Sequence, residues 1–294
     1  MYSVRLLIRP AIFTAGVCGT CFCGAAIVQQ GRQRTDKDSN FSPERRTPPP
    51  KTGWVREQMK QDWSEQAKSS WTQFKSEIIR LTQETTTNQK IGGCFILLNL
   101  AVFCAWRVKP LAPIMNRYFV LRITPTKIPL SNMILSSFSH SSSIRLMINM
   151  TAIYAFSGTS NQLLGPEQLV GFFLSCGAVA AFAHIVHGLL VKQYILGLGA
   201  SGGLLGLLAY TSTVRPDLNV SFHFFTPINI RDVLIGLMLF DMVGLIAQWK
   251  MIGHAAHLSG ALFGICYAKY GEDLFYRHNQ TIVDKWLKLK KHLS

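Results

Sequence analysis

Acidic residues are scarce in this 294-residue chain: 15 Asp and Glu stand against 30 Lys and Arg, and none falls between Thr85 and Pro166. Charged residues make up only 15% of the sequence, against roughly 25% for an ordinary soluble domain. Such a distribution argues against a soluble globule and for a chain embedded in lipid. Cysteine is also limited. The seven cysteines (18, 21, 23, 94, 104, 176 and 266) all sit in apolar segments, and their odd number argues against a full disulfide framework. Cys18-x-x-Cys21-x-Cys23 has metal-like spacing but no His or Asp nearby, so these thiols read as small hydrophobes. No metal, no other cofactor and no nucleic-acid partner is expected.

What is abundant is apolar sequence. Hydrophobic residues account for 48% of the chain, and seven runs approach membrane-spanning length. They are Pro10–Val28, Ile91–Trp106, Ile144–Ser157, Leu169–Leu190, Leu196–Val214, Val233–Trp249 and Ala255–Tyr270. Ile144–Ser157 and Ala255–Tyr270 are the shortest and need flanking residues to reach full length. Arg5 and Arg9 precede the first run and no acid occurs before Asp36, as in a mitochondrial presequence that merges into a membrane anchor. A secretory signal peptide is the alternative, but Leu6 to Val28 lacks a clean small-x-small cleavage site. The expected organisation is a targeting region and first transmembrane helix (1–28), a polar linker with an amphipathic helix (29–90), a helical core (91–271) and a basic tail (272–294).

The linker begins with Pro43 and Pro48-Pro49-Pro50, then acquires a helical stripe. Val55, Met59, Trp63, Ala67, Trp71, Phe74, Ile78 and Leu81 recur every three or four residues. This stripe suits a helix at a membrane interface or one that packs on a partner. From Val108 to Ser143 the chain carries Lys109, Arg117, Arg122 and Lys127 without an acid. The positive-inside rule therefore puts this loop on the matrix or cytoplasmic face. The lysines at 285, 288, 290 and 291 pull the opposite way.

Polar groups inside spanning helices are costly and are functional candidates by default. Here they are Asn149, His184, His187, Ser201, Asp241, His254 and His257. Gly197-Leu-Gly-Ala-Ser-Gly-Gly-Leu-Leu-Gly206 carries five glycines around one hydroxyl, although glycine costs about 0.8–1 kcal/mol in a helix relative to alanine. Gly202 and Gly206 are spaced as Gly260 and Gly264 are, and small-xxx-small stripes let helix backbones approach closely. Helix packing alone accounts for each stripe singly. Each stripe, however, carries one chemical group within a turn, Ser201 on one and His257 on the other. Facing stripes bring hydroxyl and imidazole within reach, the minimal activated nucleophile. His254 lies near the same helical face as His257. The register with Gly260 favours His257, which leaves His254 as an interfacial residue. His184 and His187 read as interhelical or interfacial. An ionised carboxylate at the bilayer centre costs about 2.5–3.5 kcal/mol; Asp241 is expected to pair with a hydroxyl or stay protonated, without a catalytic role.

Gly199-Ala-Ser201-Gly202-Gly-Leu-Leu-Gly206 together with Ala256-His257-Leu-Ser-Gly260-Ala-Leu-Phe-Gly264 resembles the rhomboid intramembrane serine proteases. Phe138-Ser139-His140 and the run Gly253–Gly264 followed by Tyr267 and Tyr270-Gly271 resemble the mitochondrial presenilin-associated rhomboid-like branch. The resemblance implies an all-α, polytopic membrane fold with a six-helix core plus one extra N-terminal helix. It implies Ser201 as nucleophile, His257 as general base and Asn149 as an oxyanion donor. It further implies single-span membrane proteins as substrates and a multi-pass place in the mitochondrial inner membrane. The chain departs from the family pattern at Arg145, where His-x-x-x-Asn is usual, and between Val108 and Ser143 it lacks the Trp-Arg pair that bacterial members carry in their first long loop. Competing readings are a catalytically silent binder of membrane segments and a small-solute transporter using Asp241 as a proton relay.

Overall fold

The computed structural model describes residues 5–35, 87–122, 129–192, 196–221, 227–249 and 252–271. The amphipathic stripe from Val55 to Leu81 and the basic tail 272–294 lie outside these residues. The described part is mostly helical. Each of the seven apolar runs overlaps one helix: α1 (Arg5–Thr35), α2 (Thr87–Ala105), α5 (Ser143–Leu164), α6 (Pro166–Leu190), α7 (Ser201–Val214), α8 (Ile230–Ile246) and α9 (His254–Gly271). The short helices α3 (Ala112–Tyr118) and α4 (Asn132–Leu135) fold into the loop between α2 and α5. Strand β1 (Leu121–Arg122) in that loop pairs antiparallel with β2 (Leu196–Gly197), and β3 (Asn219–Val220) pairs with β4 (Ile228–Asn229) beyond the far end of α7.

Local sequence sets the helix ends. Ser142 caps α5 by accepting from the Arg145 amide, and Asn229 caps α8 by accepting from Arg231. Gly165 (φ +80°) closes α5, and Pro166 starts α6 directly behind it. By length and composition, one helix among the described residues, Pro166–Leu190 with mean hydropathy 2.1, is apolar enough to cross a bilayer alone. A second stretch passes only as a pair, Lys90–Ala105 with Lys109–Tyr118, bent by 97°.

Two expectations about the helices need adjustment. The run expected to end at Ser157 continues to Leu164, because Ser157, Ser160 and Asn161 turn inward and are buried. Ser160 Oγ lies 3.0 Å from Thr211 Oγ1 on α7, so polarity here marks an interhelical contact rather than a helix end. The run expected to begin at Leu196 is not helical until Ser201, because Leu196 and Gly197 are taken into the β1–β2 pair.

Helices α6, α7 and α9 form the centre. Phe172, Tyr210, Phe263 and Tyr267 make an aromatic cluster across them, with Phe172 and Tyr267 ring centroids 5.0 Å apart. Helix α1 lies on α6, with Gly171 against the Cys21 carbonyl and Phe22 stacked on Tyr267 at 4.9 Å. Where α7 meets α9 the stripes face each other. A Cβ on Gly260 would strike the Gly202 carbonyl oxygen, one on Gly264 that of Gly206, and one on Gly206 would come within 3.1 Å of the Gly260 carbonyl. Backbone meets backbone along this seam.

Candidate active site

Ser201 is the first residue of α7, and the loop before it fixes its position. Gly199 takes φ +127°, a conformation that strains residues with a Cβ, and its amide donates to the Ser136 carbonyl at 2.9 Å. Gly197 packs on the His184 imidazole, where a Cβ would come within 2.9 Å. As the first helical residue, Ser201 has a backbone N–H without an intrahelical acceptor.

The seam then sets the side-chain geometry. Ser201 Oγ lies 2.7 Å from His257 Nε2, and His257 Nδ1 lies 3.1 Å from each carboxylate oxygen of Asp241 on α8. A carboxylate only accepts, so Nδ1 carries the proton and Nε2 is left to accept from the hydroxyl. Asp241, 2% exposed, also takes a bond at 2.6 Å from Nδ1 of His254, itself 3% exposed.

Asn149, buried on α5, has its side-chain nitrogen 2.7 Å from His140 Nε2. One amide N–H serves His140, which leaves a second. A Cβ on Gly199 would sit 3.8 Å from Ser201 Oγ and 4.0 Å from Asn149 Nδ2, so both groups border the same small space. His140 belongs to the loop before α5, and burial holds its imidazole down to about 4, with the Arg145 charge acting in the same direction. It is neutral at physiological pH and accepts the amide proton.

A cavity of about 320 Å³ opens over Ser201 and His257, lined also by Ser136, Arg145, His184 and Gly253. Arg145 is exposed at its edge. Sequence reasoning placed Ser201, His257 and Asn149 as candidates, and the fold brings all three to one end of the α7–α9 seam. It left Asp241 to a hydroxyl or to protonation, and His254 to an interface. Asp241 instead binds two imidazoles, and His254 is interior. His140 entered only as part of a motif. Its signal was a histidine with no apolar neighbour but Phe138 in the run Ser136–Ser143.

A helical bundle whose glycine seam lines up an alcohol, an imidazole and a carboxylate defines the class of protein. A family model described as the rhomboid domain matches residues 129–272. The mitochondrial presenilin-associated rhomboid-like proteins of Bos taurus and Homo sapiens are 32% identical to this chain over 98% of its length and 73% of theirs. The mitochondrial rhomboid protein 1 of Saccharomyces cerevisiae is 26% identical over 59% of this chain and 51% of its own. The chain belongs to the rhomboid family.

Proposed function

We propose that this chain is an intramembrane serine endopeptidase that cuts transmembrane segments of single-span membrane proteins. The observation that carries the reading is the 2.7 Å contact between Ser201 Oγ and His257 Nε2, with the Asp241 carboxylate behind Nδ1. Ser201 Oγ attacks a peptide carbonyl as His257 Nε2 takes its proton. The oxyanion forms beside the Ser201 backbone N–H and the second Asn149 amide proton. Collapse expels the amine, which receives the proton from His257, and leaves an ester on Ser201. Water then attacks the ester, with His257 again as base, and releases the acid. No cofactor or metal enters any step.

The membrane setting follows from the same elements. The helix of 14 residues that begins at Ser201 is about 21 Å long, shorter than a hydrocarbon core of about 30 Å. A helix that short starts its nucleophile below the surface, and irregular backbone at that depth is tolerated where it lines a cavity. The seven apolar helices support a six-helix core plus one N-terminal helix. The relatives' names carry the word mitochondrial, and with the apolar helices this favours a multi-pass protein of a mitochondrial membrane, which we take to be the inner one. The carboxylate engaged by two imidazoles favours this reading over a proton-relay transporter.

The test is reconstitution in liposomes with a single-span protein as substrate. Ser201→Ala is expected to abolish cleavage and labelling by a fluorophosphonate probe. Cleavage at the parent rate by that variant would overturn the assignment.

A further inference from the structure

We propose that His254 is a positioning residue: its imidazole holds the Asp241 carboxylate in the orientation that serves His257. The inference rests on the protease reading above. Three observations support it.

The first is the pair of bond lengths. His257 Nδ1 is equidistant from the two carboxylate oxygens, at 3.1 Å each. A bond shared this way does not by itself fix how the carboxylate is turned. His254 Nδ1 makes a single bond of 2.6 Å to Oδ1, which does. The second is enclosure. His254 is 3% exposed, and its Nε2 has no hydrogen-bond partner among the described residues. A site that only needed filling would be better served by an aliphatic side chain, since a buried polar atom left unpaired is costly. What the imidazole adds is the Nδ1–H. The third is the clamp on the ring. Gly244 on α8 makes room for it, because a Cβ there would strike the imidazole. The rings of Phe240 and Trp249 meet it edge-on, with centroids 5.8 and 5.9 Å away. A ring held on three sides presents its N–H in one direction.

His254 does not line the cavity, so it acts through Asp241 and not on substrate. Among the described residues, the other titratable groups facing this cluster are His184 and His187 on α6, and the cation lining the cavity is Arg145 on α5. None of them donates to Asp241 among the described residues.

The experiment compares the full chain in liposomes with Ser201→Ala, His254→Leu and His254→Asn. Leucine keeps the bulk and removes the donor. Asparagine places an amide N–H where Nδ1 stands. His254→Leu should lower kcat roughly 10–100-fold, the range typical of outer residues that orient a working ligand, with KM within about twofold. His254→Asn should recover most of that loss. Unchanged kcat in His254→Leu, or an equal loss in both variants, overturns the proposal. Should the leucine variant fail to fold, proton NMR of histidine-labelled parent protein decides. A downfield Nδ1–H resonance of His254 that disappears in Asp241→Asn supports the bond, and its absence from the parent overturns it. Cleavage that survives Ser201→Ala instead removes the protease reading, and this inference with it; the other outcomes leave that reading standing.

Discussion

At the scale of single residues, the Asp241 carboxylate decides which nitrogen of His257 holds the proton. An amide at that position offers an N–H as well as an oxygen, so the imidazole can settle with Nδ1 unprotonated and Nε2 donating toward Ser201. Asp241→Asn is therefore expected to cut kcat steeply, on the order of the 10⁴-fold loss known when the aspartate of a Ser-His-Asp triad is so replaced. Steady-state kinetics at constant protein fold check it. Asn149→Ala should cost about 10²–10³ in kcat, the usual weight of one oxyanion donor. His140 supplies a pH-dependent prediction. Its imidazole is held at about 4 in the fold, against about 6.5 in an unfolded chain. The unfolded state thus binds the extra proton first, and stability falls as pH drops from about 6.5 toward 4, with no contribution above that window. Chemical unfolding at pH 7 and pH 5 should show a loss that is smaller in His140→Gln. The approach of Ser201 to His257 was legible in the sequence because each sits at a fixed spacing from glycines, and Asn149 was marked by a family motif; the roles given to them belong to the proposed function. Asp241 and His254 were not legible, because spacing within one helix does not reveal which neighbouring helix it faces.

At the scale of elements, glycine is what the α7–α9 pair requires. Gly260 and Gly264 face carbonyl oxygens of Gly202 and Gly206 rather than movable side chains, so an added methyl cannot be absorbed by a rotamer change. Gly260→Ala is expected to destabilise the protein by about 1–3 kcal/mol, the usual cost of overpacking, and to lower kcat as the helices part. Thermal unfolding in detergent, read beside the cleavage assay, tests both. The four-residue spacing disclosed this seam in advance. Hydropathy did not disclose where the helices end. Buried Ser157, Ser160 and Asn161 made α5 look shorter than it is, and the strand pairing of Leu196 and Gly197 made α7 look longer. Both errors arise from contacts made across the fold, which a local window cannot contain.

At the scale of the whole molecule, the loops sort to two ends. Gly199 binds Ser136 and β1 pairs with β2, so the basic loop 108–143 and the loop before Ser201 share one end. The β3–β4 pair and Arg215, bonded to Asp217 at 2.8 Å, lie past the other end of α7. On the proposed multi-pass topology these ends face opposite compartments. Cysteines placed at Arg122 and at Asp217 should be labelled by an impermeant maleimide from opposite sides, and labelling of both from one side would contradict the arrangement. The mostly helical character of the chain could be read from sequence. The docking of α1 on α6 could not, since Gly171 and Cys21 carry no mark of their pairing until the chain has folded.

The seam between α7 and α9 has a mechanical consequence. Where side chains separate two helices, their spacing drifts with temperature and with substitutions in the core around them. Here main chain rests on main chain, so the gap between alcohol and imidazole inherits the stiffness of two rods in direct contact. On the proposed protease reading, whatever yields when a scissile segment enters lies elsewhere in the bundle.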